Sequence, residues 1–206
     1  IAAVVAEVRP TVGFTGHVST DIPIGAGLSS SAALEVATAL ALGFEGTSDE
    51  LAQLCRRAEH AASGVPCGIM DQLVIAAAVR DHALLIDCHT LERTPVPIPS
   101  DAEIVVQFIA HRTLEGSPYA DRVAQCAAAE ALIGPLRLAT PETAAAIADP
   151  VVRARALHVA AENQRVLSFV DALRAGDLPT AGALMVQSHD SLRDLYQCST
   201  TAMDAA

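Results

Sequence analysis

The stretch Pro23-Ile24-Gly25-Ala26-Gly27-Leu28-Ser29-Ser30-Ser31-Ala32-Ala33 decides how this chain is read. It is a glycine- and serine-rich turn between two periodic segments. Upstream, Val12, Phe14, Gly16, Val18 and Thr20 fall on every second position, the alternation of a strand. Downstream, Leu34, Ala37, Leu40 and Ala41 recur at helical spacing up to Gly43, where a stop is expected. A turn that opens a helix presents unpaired backbone N–H groups at the positive end of the helix dipole. Such a turn is a cradle for an anion, phosphate above all. The same pattern also suits an ordinary helix start, in which Ser29 or Ser31 caps and the glycines only turn the chain. The commoner phosphate loops are excluded. A Walker A loop needs a lysine before its last hydroxyl residue, and no lysine stands between Ile1 and Ala33. A dinucleotide-binding turn needs a third glycine, which is missing after Gly25 and Gly27.

A second segment narrows the reading. Ala58-Glu59-His60-Ala61-Ala62-Ser63-Gly64-Val65-Pro66-Cys67-Gly68-Ile69-Met70-Asp71-Gln72 places two carboxylates on either side of a Gly-Pro-Cys-Gly turn. Together the two segments resemble the GHMP small-molecule kinases and, within them, the galactokinase family, which carries P-x-G-x-G-L-S-S-S-A followed by E-H-x-x-x-G-x-P-C-G-x-M-D-Q. The resemblance continues in His82–Cys88, in Ser117-Pro118-Tyr119-Ala120-Asp121-Arg122, in Glu162–Val166 and in Met185–His189. The family's opening G-R-x-N-L-I-G-E-H-T-D-Y type segment and its third motif, G-x-G-x-G-G, have no counterpart here. The chain is therefore expected to be the middle of a longer kinase.

The resemblance implies an α+β fold of the GHMP-kinase type. A βαβ phosphate-loop unit would occupy residues 1–110, and the helical part of a ferredoxin-like C-terminal domain residues 111–206. It implies ATP-dependent phosphorylation of galactose at the C1 hydroxyl. The alternatives are a GHMP kinase for a related sugar or for mevalonate, and a non-catalytic sugar sensor. Those sensors carry a lesion in the serine loop, whereas Ser30-Ser31-Ala32-Ala33 is intact here.

Phosphoryl transfer asks a protein mainly for positioning and charge neutralisation. Gly25, Ala26, Gly27, Leu28, Ser29, Ser30 and Ser31 would cradle the ATP phosphates. The resemblance assigns Mg²⁺ to Ser31 and Glu59, one hydroxyl and one carboxylate, with water and phosphate completing the octahedron. Read alone, Glu59 suits a solvated helix position equally well. Asp71 is the expected catalytic residue at the sugar hydroxyl, as general base or as an orienting charge. Its simpler reading is a helix N-terminal Asp, favourable at the dipole. Gly68 would give the sugar close backbone access, and Tyr119 would touch a sugar hydroxyl or ring face unless it is a half-buried helix aromatic. His111 stands roughly where many of the family carry Arg, and no role follows from it.

Composition limits the partners. The 206 residues are 51% hydrophobic and 3% aromatic, and the formal net charge is −11. That charge, with no basic cluster, argues against nucleic acid. No apolar run approaches the ~20 residues that span a bilayer. Cys55, Cys67, Cys88, Cys126 and Cys198 lack paired spacing and read as free thiols of the cytoplasm. The expected partners are a sugar and ATP, and the oligomeric state is not legible.

Strands are expected over 12–20, 83–88 and 103–110, with an edge strand or linker over 94–99, where the prolines forbid a central position. Helices are expected over 30–43, 48–62 and 71–79, the second capped by Ser48. Beyond residue 115 the chain reads as helical. Asp149 and Pro150 form a cap and first-position pair, and Gly176 a stop. Between them Val152, Ala156, Val159, Asn163, Val166, Val170 and Leu173 form a stripe at 3.5-residue spacing, read as core.

Overall fold

A computed structural model describes residues 1–109 and 118–206. The border expected at 110/111, His111 and Ser117 lie outside the described residues. The rest divides into two compact units, one of Ile1–Pro95, the other of Val96–Ile109 and residues 118–206.

In the first unit, α1 (Ala2–Val8), α2 (Ser30–Ala41), α3 (Ser48–Ser63) and α4 (Met70–Ala77) precede β1 (His82–Ile86), which pairs in a two-stranded sheet with β2 (Arg93–Pro97), a strand that begins in this unit. The helices start and stop within a few residues of expectation. The α3 cap is Thr47 rather than Ser48. Its hydroxyl accepts from the Glu50 N–H, and the Glu50 side chain accepts from the Thr47 N–H, a reciprocal capping box that leaves Ser48 inside the helix. Leu51, Leu54, Cys55 and Ala58 then recur along one face of α3. They pack on Val4, Val36 and Ala39. A second small cluster joins Ala52 to Ile69 and Leu73, fixing the start of α4 against the middle of α3. The Pro95 and Pro97 strand is an edge, as two missing N–H donors require.

Two strand expectations fail. Residues 12–20 have no regular structure, and Val12, Phe14 and Val18 are exposed. In the second unit the described part of 103–110 is irregular too, with Ile104 and Val105 exposed. Alternation fits a pleated surface, but a strand exists only through its pairing. Neither stretch is paired in a sheet among the described residues.

The second unit holds α5 (Tyr119–Ile133), α6 (Pro141–Ala145), α7 (Pro150–Ala175), α8 (Leu178–Ser191), a π-turn over Leu192–Tyr196 and α9 (Thr201–Asp204). Asp149 caps α7 as expected, accepting from the N–H groups of Val151 and Val152 at 2.9 Å each, and Gly176 ends it with φ 68°. The stripe on α7 is only partly core. Ala156 and Val170 are buried, whereas Asn163 and Val166 are exposed. At 26 residues α7 outruns its neighbours, so a straight stripe cannot stay covered along its whole length. Polar side chains take part of the interior instead. The Arg155 guanidinium, 2% exposed, donates to Gln125 Oε1, to Gln197 Oε1 at 2.8 Å and to the Leu195 carbonyl. His158 is buried, with Nδ1 2.8 Å from Ser191 Oγ and its ring stacked on Tyr196 at 4.5 Å. No helix among the described residues is long and apolar enough to cross a membrane.

Burial, and then the charges of Arg165 and Arg155, hold the His158 pKa down at about 4. The unfolded chain takes up this proton near pH 6.5, and the folded second unit refuses it until near pH 4. Stability is therefore complete above pH 6.5 and is lost as the pH falls toward 4, by at most about 3 kcal/mol. Urea unfolding at pH 7.5 and 4.5 should show a smaller loss for His158→Gln than for the wild type. Equal losses would remove His158 as the cause.

Candidate active site

The glycine–serine loop forms by local backbone geometry. Gly25, Gly27 and Ser29 have φ of 75°, 77° and 52°, so every second residue is left-handed. A Cβ at Gly27 would meet nothing within 4 Å, so conformation rather than space demands glycine there. Ser29 takes the same conformation without being glycine, a strain of the kind found at ligand clamps. Alternation of this sort turns backbone N–H groups toward one concavity. Ser29 occupies the N-cap of α2, yet its side chain makes no cap hydrogen bond. The Ser31 hydroxyl turns to Glu59 instead. Neither serine plays the ordinary capping role, and among the described residues the first N–H groups of α2 have no side-chain cap.

The second segment ends α3 and begins α4. Gly64 closes α3 in the left-handed conformation, its N–H bonded to the His60 carbonyl at 2.9 Å. His60 Nε2 lies 2.8 Å from the Cys67 carbonyl and ties the turn back to the helix. Glu59, one residue before His60, is the meeting point of four segments. Its Oε1 accepts from Ser31 Oγ at 3.0 Å. Its Oε2 accepts from Gln72 Nε2 at 2.6 Å and from the Cys67 thiol at 3.2 Å. Gln72 Nε2 also reaches Glu35 Oε2, at 3.4 Å. Burial, together with this hydrogen bond to Glu59, pushes the Cys67 thiol up to about 12, so it stays a donor.

Glu35 and Gln72 had no assigned role in the sequence. The signals were present: Glu35 follows Ser31 by one helical turn, and Gln72 is a polar residue beside Leu73 on the buried face of α4. Burial, reinforced by the charge of Glu59, raises the Glu35 pKa to about 7.

Asp71 follows Met70 in the first turn of α4, exposed, while Gln72 turns inward. Gly68 lies exposed just before it. The loop, Ser31, Glu59, Gly68 and Asp71 are all in the first unit, and a direct bond joins Ser31 to Glu59. Tyr119 is the first residue of α5 in the second unit and is half-buried.

Two oxygens 3.0 Å apart, one hydroxyl and one carboxylate, fit a magnesium ion. Neighbouring ligands of an octahedron at 2.0–2.1 Å are themselves about 3 Å apart.

Residues 1–78 match the family described as GHMP kinases N terminal domain. Across its length the chain is homologous to galactokinases. It is 43% identical over 203 residues to galactokinase of Chloroflexus aurantiacus, covering 91% of this chain and 52% of that protein. It is 41% identical over 206 residues to galactokinase of Homo sapiens, covering 95% and 53%. The crystal structure of Lactococcus lactis galactokinase complexed with galactose superposes with a TM-score of 0.77 at 30% identity, covering 89% of this chain and 52% of that one. The chain thus spans about half the length of the curated relatives it matches.

Because the Glu35 carboxyl gains its proton more readily folded than unfolded, its contribution to stability is complete below pH 4.5 and is lost as the pH rises through 7. Glu35→Gln keeps an acceptor for Gln72 but cannot ionise. Between pH 5 and 8 the variant should gain stability over the wild type by about 2–3 kcal/mol in urea unfolding. A gap that stays constant with pH would show that Glu35 ionises as freely folded as unfolded.

Proposed function

We propose that this chain is part of an ATP-dependent kinase that transfers the γ-phosphoryl group of ATP to the C1 hydroxyl of galactose. The observation that carries the reading is the Ser31–Glu59 oxygen pair, set beside a loop of alternating left-handed residues at an uncapped helix start. Residues Gly25 through Ser31 cradle the phosphates. Ser31 and Glu59 hold Mg²⁺, which when bound neutralises charge on the transferred group. Asp71 takes or orients the proton of the attacking hydroxyl, and Gly68 and Tyr119 contact the sugar. Residues 1–110 are read as the N-terminal domain of such an enzyme and 111–206 as part of its C-terminal domain. Five free cysteines suit a cytoplasmic location.

An aspartate that serves the reaction needs freedom from other partners. Asp71 is exposed, on a helix turn fixed from beneath by Leu73. In the intact enzyme Asp71→Asn should keep ATP and galactose binding and lose about 10²–10⁴ in turnover if it is a general base. If it only orients the hydroxyl, the loss should sit at or below the low end, since Asn keeps an acceptor oxygen. Single-turnover kinetics beside calorimetric binding measures both. A rate close to wild type would remove Asp71 from the chemistry.

Gly68 offers a sharper separation of fold from function. A Cβ there would meet nothing within 4 Å, and its φ lies outside the left-handed range. Neither space nor conformation within the chain requires glycine. Gly68→Ala should therefore change stability by less than about 1 kcal/mol, yet raise KM for galactose. Parallel melting curves and initial rates test it. Unchanged KM would mean that no ligand approaches this backbone.

A further inference from the structure

We infer that Gln72 is a positioning residue that fixes Glu59 so that a single carboxylate oxygen, Oε1, faces the cation. The inference rests on the reading of Ser31 and Glu59 as cation ligands.

A primary amide has two N–H donors, and both of Gln72's are directed at carboxylates. One reaches Glu59 Oε2 at 2.6 Å and the other, longer, reaches Glu35 Oε2 at 3.4 Å. The orientation of the amide follows from its surroundings. Turned over, its carbonyl would face Glu59 Oε2 at the closer of the two contacts, acceptor against acceptor. Gln72 is 1% exposed, and its Oε1 is buried with no hydrogen-bond partner among the described residues. A buried amide with one end unsatisfied is not there for its own solvation. What its other end does is load one oxygen of Glu59. The Cys67 thiol loads the same oxygen at 3.2 Å. Oε1 is left toward Ser31 Oγ, 3.0 Å away.

The consequence is a choice of denticity. Mg²⁺ keeps an octahedron with several waters and uses carboxylates through one oxygen, whereas a larger cation accepts both. A Glu59 free to rotate would offer either oxygen or both. Held by Gln72 and Cys67, it offers one. Glu35 meets the same amide nitrogen, so that Gln72 spans two helices, α2 and α3, from its own position on α4.

The test uses Mn²⁺ as the probe, titrated by water-proton relaxation onto the intact protein with a non-hydrolysable ATP analogue. Gln72→Leu removes both donors, and Gln72→Asn keeps an amide too short to span the two carboxylates. Each should weaken Mn²⁺ about ten- to hundredfold, the usual consequence of losing a group that orients a metal ligand. Affinity for the same nucleotide in EDTA should not change, which separates positioning from general damage. Glu59→Gln should lose the Mn²⁺ site. If Gln72→Leu does not fold, Gln72→Asn decides alone. Mn²⁺ affinity within about threefold of wild type in the folded Gln72 variants, with Glu59→Gln deficient, overturns the inference and leaves the ligand reading intact. Equal loss of metal-free nucleotide binding overturns it as well. Wild-type Mn²⁺ binding by Glu59→Gln overturns the ligand reading itself, and the inference with it.

Discussion

A carboxylate half withdrawn from water must be met by donors, and the first unit is arranged to meet one such group, Glu59. Its three donors come from three places: Ser31 in the first turn of α2, Cys67 in the turn between α3 and α4, and Gln72 in α4. These lie 28, 8 and 13 residues away in sequence. Bringing them to one side chain fixes the start of α2, the path of the turn and the rotation of α4 together. The apolar contacts are compatible with this arrangement but less exacting. Ala52, Ile69 and Leu73 would tolerate small rotations that Gln72, with its bonds to Glu59 and Glu35, would not.

The same network sets which of its groups carry charge. Packing a second carboxyl, Glu35, against the same amide nitrogen of Gln72 would place two negative charges in one partly buried cluster. Burial and repulsion from Glu59 raise Glu35 instead, and the Cys67 thiol is held in its protonated form. The cluster thereby limits its negative charge. Limiting it matters for a site read as admitting ATP, because every extra anion beside a phosphate is repulsive. In the second unit burial acts with the opposite sign of charge. His158 is kept neutral among Arg155 and Arg165, and Arg155 spends its donors on carbonyl and amide oxygens. Each interior therefore holds one titratable group neutral, and in the second unit Arg165 is also ion-paired with Glu162.

Much of this was legible in the sequence where a signal is local. The helix α2, the capping of α7 by Asp149 and the edge strand with Pro95 and Pro97 each follow from residues close together in the chain. The loop and the Pro-Cys-Gly turn were recognisable as units, and Ser31 and Glu59 were named together. What escaped was non-local or depended on pairing. The alternation in 12–20 predicted a strand, because period-2 patterning records a preference but not the presence of a partner. Asn163 was read into a core stripe because constant spacing ignores how far the neighbouring helices extend. Glu35 and Gln72 were passed over because a lone acid on a helix and an amide beside a more obvious aspartate read as surface groups. Their role appears only when three helices bring them within hydrogen-bonding distance.

Asp71 and Gln72 make the clearest case for how support and reactivity share one element. Neighbouring helix residues diverge by about 100° around the axis. One residue of the first turn of α4 thus faces solvent while the next is 1% exposed. Gln72 holds the carboxylate read as a cation ligand, and Asp71 is the acid read as acting on the sugar hydroxyl. Their separation is then fixed by a single peptide unit rather than by packing between elements, the most rigid spacing a chain can provide. Ile69 and Leu73, buried on either side, hold that turn on α3. A change that rotates the start of α4 must disturb both groups at once. Cation binding and hydroxyl activation would therefore fail together under mutations of Ile69 or Leu73, and separately under mutations of Gln72 or Asp71 themselves.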